Sequence, residues 1–159
     1  MAAKFGYISI REVEYLLGCD TMTAVHRLHY LTNKARVLTR FESQLFPTHF
    51  YCLTPHGRRA VRDLALCDEI RDFTPSKYRP MWQNHDRLLI KCFIAFRRAF
   101  GERFAGWTSE LQLRREQFRG RVVDGEFFLR DGGDGGLLKC WVELELTLKS
   151  PARYRSQFK

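Results

Sequence analysis

Four residues in the last quarter of the chain have the types and spacing to handle a phosphodiester. The segment CWVELELTLK (140–149) carries Glu143 and Glu145 two apart and Lys149 four further on, and the preceding RVVDGEFFLR (121–130) carries Asp124. Residues two apart in a strand share a face. The spacing therefore predicts Glu143, Glu145 and Lys149 on one side with Trp141 and Thr147, and Val142, Leu144, Leu146 and Leu148 on the core side. The glycine-rich DGGDGG (131–136) reads as a hairpin turn, which brings Asp124 toward Glu143. Carboxylates grouped in this way hold one or two Mg2+ or Mn2+ ions, which neutralise a scissile phosphate, acidify a water and stabilise the leaving oxygen. Lys149 lies ~13 Å along the strand from Glu145 at the usual rise per residue, far to reach for the same phosphate. Glu110, on the polar face of a predicted strand WTSELQLRR (107–115), is a candidate accessory metal ligand. The same acids also suit an ordinary solvated strand face, paired with Arg114, Arg121 or Arg130.

These strands need a scaffold, and HDRLLIKCFIAFRRAF (85–100) supplies a helix capped at Asn84. Its Leu89, Phe93, Phe96 and Phe100 recur at helical spacing as one apolar stripe, with Arg87, Lys91 and Arg98 on another face. Upstream, FTPSKYRP (73–80) interrupts the helical pattern with two prolines and marks a boundary between residues 1–75 and 76–159. In the first part, SIREVEYLLG reads as a helix capped by Ser9 and closed by Gly18. A second helix restarts at Asp20 or Thr21 and buries Ala24, Val25, Leu28 and Leu31. VLTRF and THFYCLT form a hairpin, and TPHGRRAVRDLALCDEI closes the unit as a helix capped by Thr54 with Pro55 at its first position.

The 159 residues carry a net charge of +9 and a hydrophobic fraction of 45%, so a real core and an affinity for polyanions are both expected. Ten bases meet eight acids in residues 1–75 and 17 meet ten in residues 76–159, so the second part carries most of the excess. Double-stranded DNA is the leading partner. No apolar run is long enough to span a membrane, and a cytoplasmic protein is expected. Five scattered cysteines suit reduced thiols, and without a CxxC pair to anchor a site no zinc is expected.

The segment VHRLHYLTNKARVLTRF…THFYCLTPHGRRAV resembles the winged helix-turn-helix family over most of residues 7–70. That resemblance implies that the second helix enters a major groove, with Thr21, Thr23, His26, Arg27, Tyr30 and Lys34 facing the duplex and Arg40, with His49, on the wing. VVDGEFFL…CWVELELTLKSPARY resembles the PD-(D/E)xK nuclease superfamily. With a winged helix before it, nearly the whole chain is similar to the replication-relaxation family of plasmid and mobile-element proteins. The fold expected is α+β: an N-terminal winged helix-turn-helix followed by a restriction-endonuclease-like αβββ domain. The resemblance makes Asp124 the motif aspartate, Glu143 the motif acid and Glu145 the position more often held by lysine. It implies replication or mobilisation work, with Mg2+- or Mn2+-dependent DNA nicking as the activity. Such a fold continues with a helix and a strand after the E-x-E strand where only SPARYRSQFK remains, so the expectation is either a homodimer that completes the sheet or a truncated domain that has lost its activity. Two other readings stay open: a non-catalytic transcriptional regulator that dimerises through its second domain, and an adaptor in a DNA-transfer complex.

Overall fold

The chain folds as a mixed α+β protein with two three-stranded antiparallel sheets. The computed structural model describes residues 1–43, 46–67, 70–77, 80–116, 122–133 and 135–146. A one-turn helix α1 (Ala2–Phe5) leads into a short strand β1 (Tyr7–Ser9) and helix α2 (Ile10–Leu17). Glu12 explains the start of α2: its carboxylate accepts from the Ser9 amide at 2.7 Å and from the Ser9 hydroxyl, which closes the first turn. Helix α3 (Thr21–His29) begins at Asp20, whose side chain accepts from the Thr23 amide at 2.8 Å, and it runs into a π-helical turn over Tyr30–Lys34. The same amide holds the Asp20 carboxyl below its usual range.

Strands β2 (Leu38–Glu42) and β3 (His49–Leu53) form the expected hairpin, and β1 pairs with the far side of β3 to give the order β1-β3-β2. Both faces of this sheet are covered. Ile8 and Tyr51 point to a cluster with Val13, Ala24, Leu28 and Leu38, while Tyr7, Phe50 and Cys52 point the other way. Burial pushes the Cys52 thiol up to about 11, as suits a packed side chain rather than a nucleophile.

Helix α4 (Pro55–Asp63) starts on the Thr54 cap and stops at Asp63, short of the predicted 70. Its first turn is pressed against β2's approach. A Cβ on Gly57 would lie 2.0 Å from the Val37 carbonyl oxygen, which already accepts from the Thr54 amide at 3.0 Å. Gly57→Ala is therefore expected to cost about 2 kcal/mol by prising the helix off that carbonyl. A denaturant titration reads this as a lower midpoint at unchanged slope, and an unaltered midpoint would contradict the close approach.

Helix α5 (Pro80–Phe100) begins one turn earlier than the predicted Asn84 cap, with Pro80 as its first residue, a position where proline's missing amide costs nothing. Behind it lies the second sheet, β4 (Phe104–Ser109), β5 (Gly125–Arg130) and β6 (Leu137–Val142), in that order and antiparallel. Two strand expectations need correction. Residues 110–115 are helix α6 (Glu110–Glu116), not strand: Ser109 Oγ caps it by accepting from the Gln112 amide at 3.2 Å, and Glu110–Arg114 and Gln112–Glu116 pair one turn apart. The second part is thus α-β-α-β-β rather than αβββ. The last strand ends at Val142, and Glu143 and Glu145 lie beyond it.

One apolar cluster joins the halves on either side of the 73–80 segment. Phe5 from α1 packs on Phe93 at 5.5 Å and Trp107 at 6.1 Å, and Phe73 packs on Tyr7 at 5.4 Å. The stripe predicted on α5 is the one used: Leu89 and Phe93 are buried, and Phe96 stacks on Phe127 at 4.5 Å. Among the described residues no helix is long and apolar enough to cross a membrane.

Candidate functional site

Two constellations emerge, one on the exposed side of α3 and one around Asp124. On α3 the residue spacing decides which side chains are available. Ala24 and Leu28 are buried against α2 and the first sheet, so Thr21, His26 and Arg27 face outward and stay exposed. The π-helical turn keeps Tyr30 outward at 60% exposure and Lys34 exposed beyond it. Thr23 differs from the expectation: it is half-buried and its hydroxyl donates to Asp20 at 3.2 Å, so it serves the helix cap. Val25 and Leu31 are only partly buried. Arg40 is exposed on β2, and His49 lies across the hairpin from Glu42, with Nδ1 3.7 Å from its carboxylate. His26, Arg27, Tyr30, Lys34 and Arg40 are thus exposed cationic or hydrogen-bonding side chains on α3, the turn after it and β2, with the Asp20 carboxylate capping the start of α3.

Around Asp124 the arrangement differs from a metal-holding trio. Asp124 precedes β5, and extending the Gly125–Val142 register sets it opposite Glu143, as the hairpin turn predicted. Its two oxygens, however, meet other partners. Oδ1 lies 3.2 Å from His85 Nε2, and Oδ2 accepts from the Leu144 amide at 2.6 Å. That amide bond is what holds the chain beside β5 just past the end of β6. His85 Nδ1 lies 3.5 Å from Asp86 Oδ1, and Asp86 Oδ2 accepts from Arg71 at 3.1 Å, which also donates to the Phe5 carbonyl at 3.3 Å. The contact with Asp124, followed by that with Asp86, raises the His85 imidazole to about 10, so it is a cation held between two carboxylates at neutral pH.

The other predicted members lie in different surroundings. Glu143 is exposed, and Glu145 is half-buried beyond the strand, where the two-residue alternation no longer orders the chain. Glu110 sits in the first turn of α6, salt-bridged to Arg114 at 2.5 Å, and lines a cavity of about 130 Å3 together with Asp124, Asp86, Arg71 and Lys4. Arg130 donates to the Glu102 carbonyl at 2.5 Å. Lys149 and Arg121 lie outside the described residues, as does SPARYRSQFK. Among the described residues no three His, Cys, Asp or Glu side chains are grouped so as to hold a metal ion. Asp124, with one oxygen on a cationic imidazole and the other on an amide, is placed for structural bonding, so no metal-dependent step is derived from it.

Sequence reasoning missed His85, Asp86 and Arg71. The adjacent His-Asp pair just after the expected Asn84 cap, in the second turn of α5, was the one visible cue, and Arg71 is drawn in from a loop by its bond to Phe5. Compared with protein-family models, curated proteins and solved structures, the chain matches none of them.

Proposed function

We propose that this chain is a double-stranded DNA-binding protein of winged helix-turn-helix type that works in the replication or mobilisation of a plasmid or other mobile element. The observation that carries the DNA reading is the exposed face of α3, with His26, Arg27, Tyr30 and Lys34 outward while Ala24 and Leu28 anchor it, followed by a hairpin bearing Arg40. The sheet order β1-β3-β2 with α2 and α3 between β1 and β2 suits a helix presented to a major groove and a wing beside it. The net charge of +9 supplies the sequence-independent attraction. Mobile-element work rests on the resemblance in residues 76–159, and dimerisation through the second sheet belongs to the same reading.

The test is duplex binding as a function of salt. Arg27→Ala is expected to weaken it about tenfold and to lower the salt slope by about one phosphate contact, with Lys34→Ala and Arg40→Ala giving smaller, sequence-independent losses. Binding indifferent to salt and to all three changes would leave the adaptor reading. Nicking of supercoiled plasmid with Mg2+ or Mn2+ is the second reading, favoured by the register that sets Asp124 opposite Glu143. It requires Asp124 to exchange His85 and the Leu144 amide for another partner. Nicking that vanishes in Asp124→Ala and Glu143→Ala would establish it, and intact plasmid in the wild type would leave binding alone.

A further inference from the structure

A groove of about 1190 Å3 lies between α1, α3, α4 and the β4 end of α5. Its walls are apolar. Leu17, Leu64 and Leu66 line it and remain exposed, at 49%, 67% and 69%, although leucine is ordinarily buried. Its charged lining residues in the described chain are Lys4, Arg27 and Arg97, and no carboxylate is among them. Arg97 lies one helical turn after Phe93, whose ring meets Phe5, the neighbour of Lys4, at 5.5 Å. Two cations from different elements therefore flank the same apolar wall. A large apolar groove with convergent charge of one sign fits an amphiphile of the opposite sign.

We propose that this groove binds a free long-chain carboxylate, with its alkyl chain along the leucines and its head group on Arg97 and Lys4. Apolar burial holds the chain, and the cations among the described lining residues set the choice of head: a carboxylate compensates them, an ammonium adds like charge, and an alcohol leaves them uncompensated. The head-group cations Arg97 and Lys4 lie on α5 and α1, while another wall of the groove shares His26, Arg27 and Tyr30 with the DNA reading.

The experiment uses the full chain and displacement of cis-parinaric acid by oleate, oleyl alcohol and oleylamine. Oleate is expected to displace the probe saturably at one equivalent, the alcohol at least tenfold more weakly, and the amine not at all. Arg97→Glu should weaken oleate at least tenfold and lower duplex binding by less than Arg27→Ala does. Leu64→Asp, at an exposed position that cannot unfold the core, should weaken oleate and alcohol alike. Equal displacement by all three compounds, unsaturable uptake, or oleate binding unchanged by Arg97→Glu would overturn the proposal. So would attachment to phosphatidylglycerol vesicles, or to an acidic amphipathic peptide, by a protein that takes up no monomeric oleate. Because no measurement of ligand uptake needs DNA, failure of the DNA reading leaves the oleate result intact.

Discussion

Trp107→Ala is expected to destabilise the protein by about 4 kcal/mol, a large part of the 5–15 kcal/mol that holds a domain of ordinary stability together. Trp107 is buried at the junction of the halves. Its ring lies 6.1 Å from Phe5 and 5.9 Å from Phe93, and its carbonyl accepts from Lys4. Removing the ring leaves a cavity bounded by α1, α5 and the second sheet at once. Trp107→Phe, which keeps an aromatic ring against Phe5 and Phe93, should cost clearly less. Denaturant unfolding followed by far-ultraviolet circular dichroism checks both. A loss below about 1 kcal/mol for Trp107→Ala would mean that the two halves do not depend on a shared core.

The second large effect is a stability that falls with rising pH because of His85. Folded His85 titrates near 10 while an unfolded imidazole titrates near 6.5, so the native state holds an extra proton between those limits. The stabilisation is complete below about pH 6.5 and is lost as pH climbs through about 10. Its size is about 3 kcal/mol, allowing for the partial solvent access of the ring and for the hold Arg71 already has on Asp86. His85→Gln should therefore be about 3 kcal/mol less stable than wild type at pH 6 and nearly equal to it at pH 10.5. An identical gap at both pH values would show that the histidine packs without carrying charge. The network it centres ties the Arg71 loop, α5 and the end of the last strand together, so its loss should also expose the Leu144 amide to hydrogen exchange.

The residues that proved most legible were those whose partners are close in sequence. Asp20 and Thr54 were readable as helix caps because each accepts from the amide three residues on, and Ser9 because the Glu12 carboxylate, three residues on, accepts from its amide. The α5 stripe and the β2–β3 and β5–β6 hairpins were readable for the same reason, since helical spacing and a glycine-rich turn are local signals. Strand β1 escaped notice because it has three residues, is buried on both faces and pairs with residues 50–52, so it shows no alternation and no nearby partner. Residues 110–115 were misread because their alternating polarity also matches a one-sided helix, and only the Ser109 cap and the Glu110–Arg114 pair decide between them.

What the sequence determined by itself is the charge balance, the presence of α2, α3, α4 and α5 and of the two hairpins, and most of the outward face of α3, because the four-residue step from Ala24 to Leu28 fixes what lies opposite. Tertiary structure decided the fate of Asp124. The hairpin carries it to Glu143 as the spacing predicted, but a carboxylate takes the partners that packing delivers. Here α5 delivers His85 and the end of β6 delivers an amide, from 39 residues upstream and 20 downstream. A local pattern can place an acid on a face; only the folded chain sets the cation and the amide that compete for its oxygens.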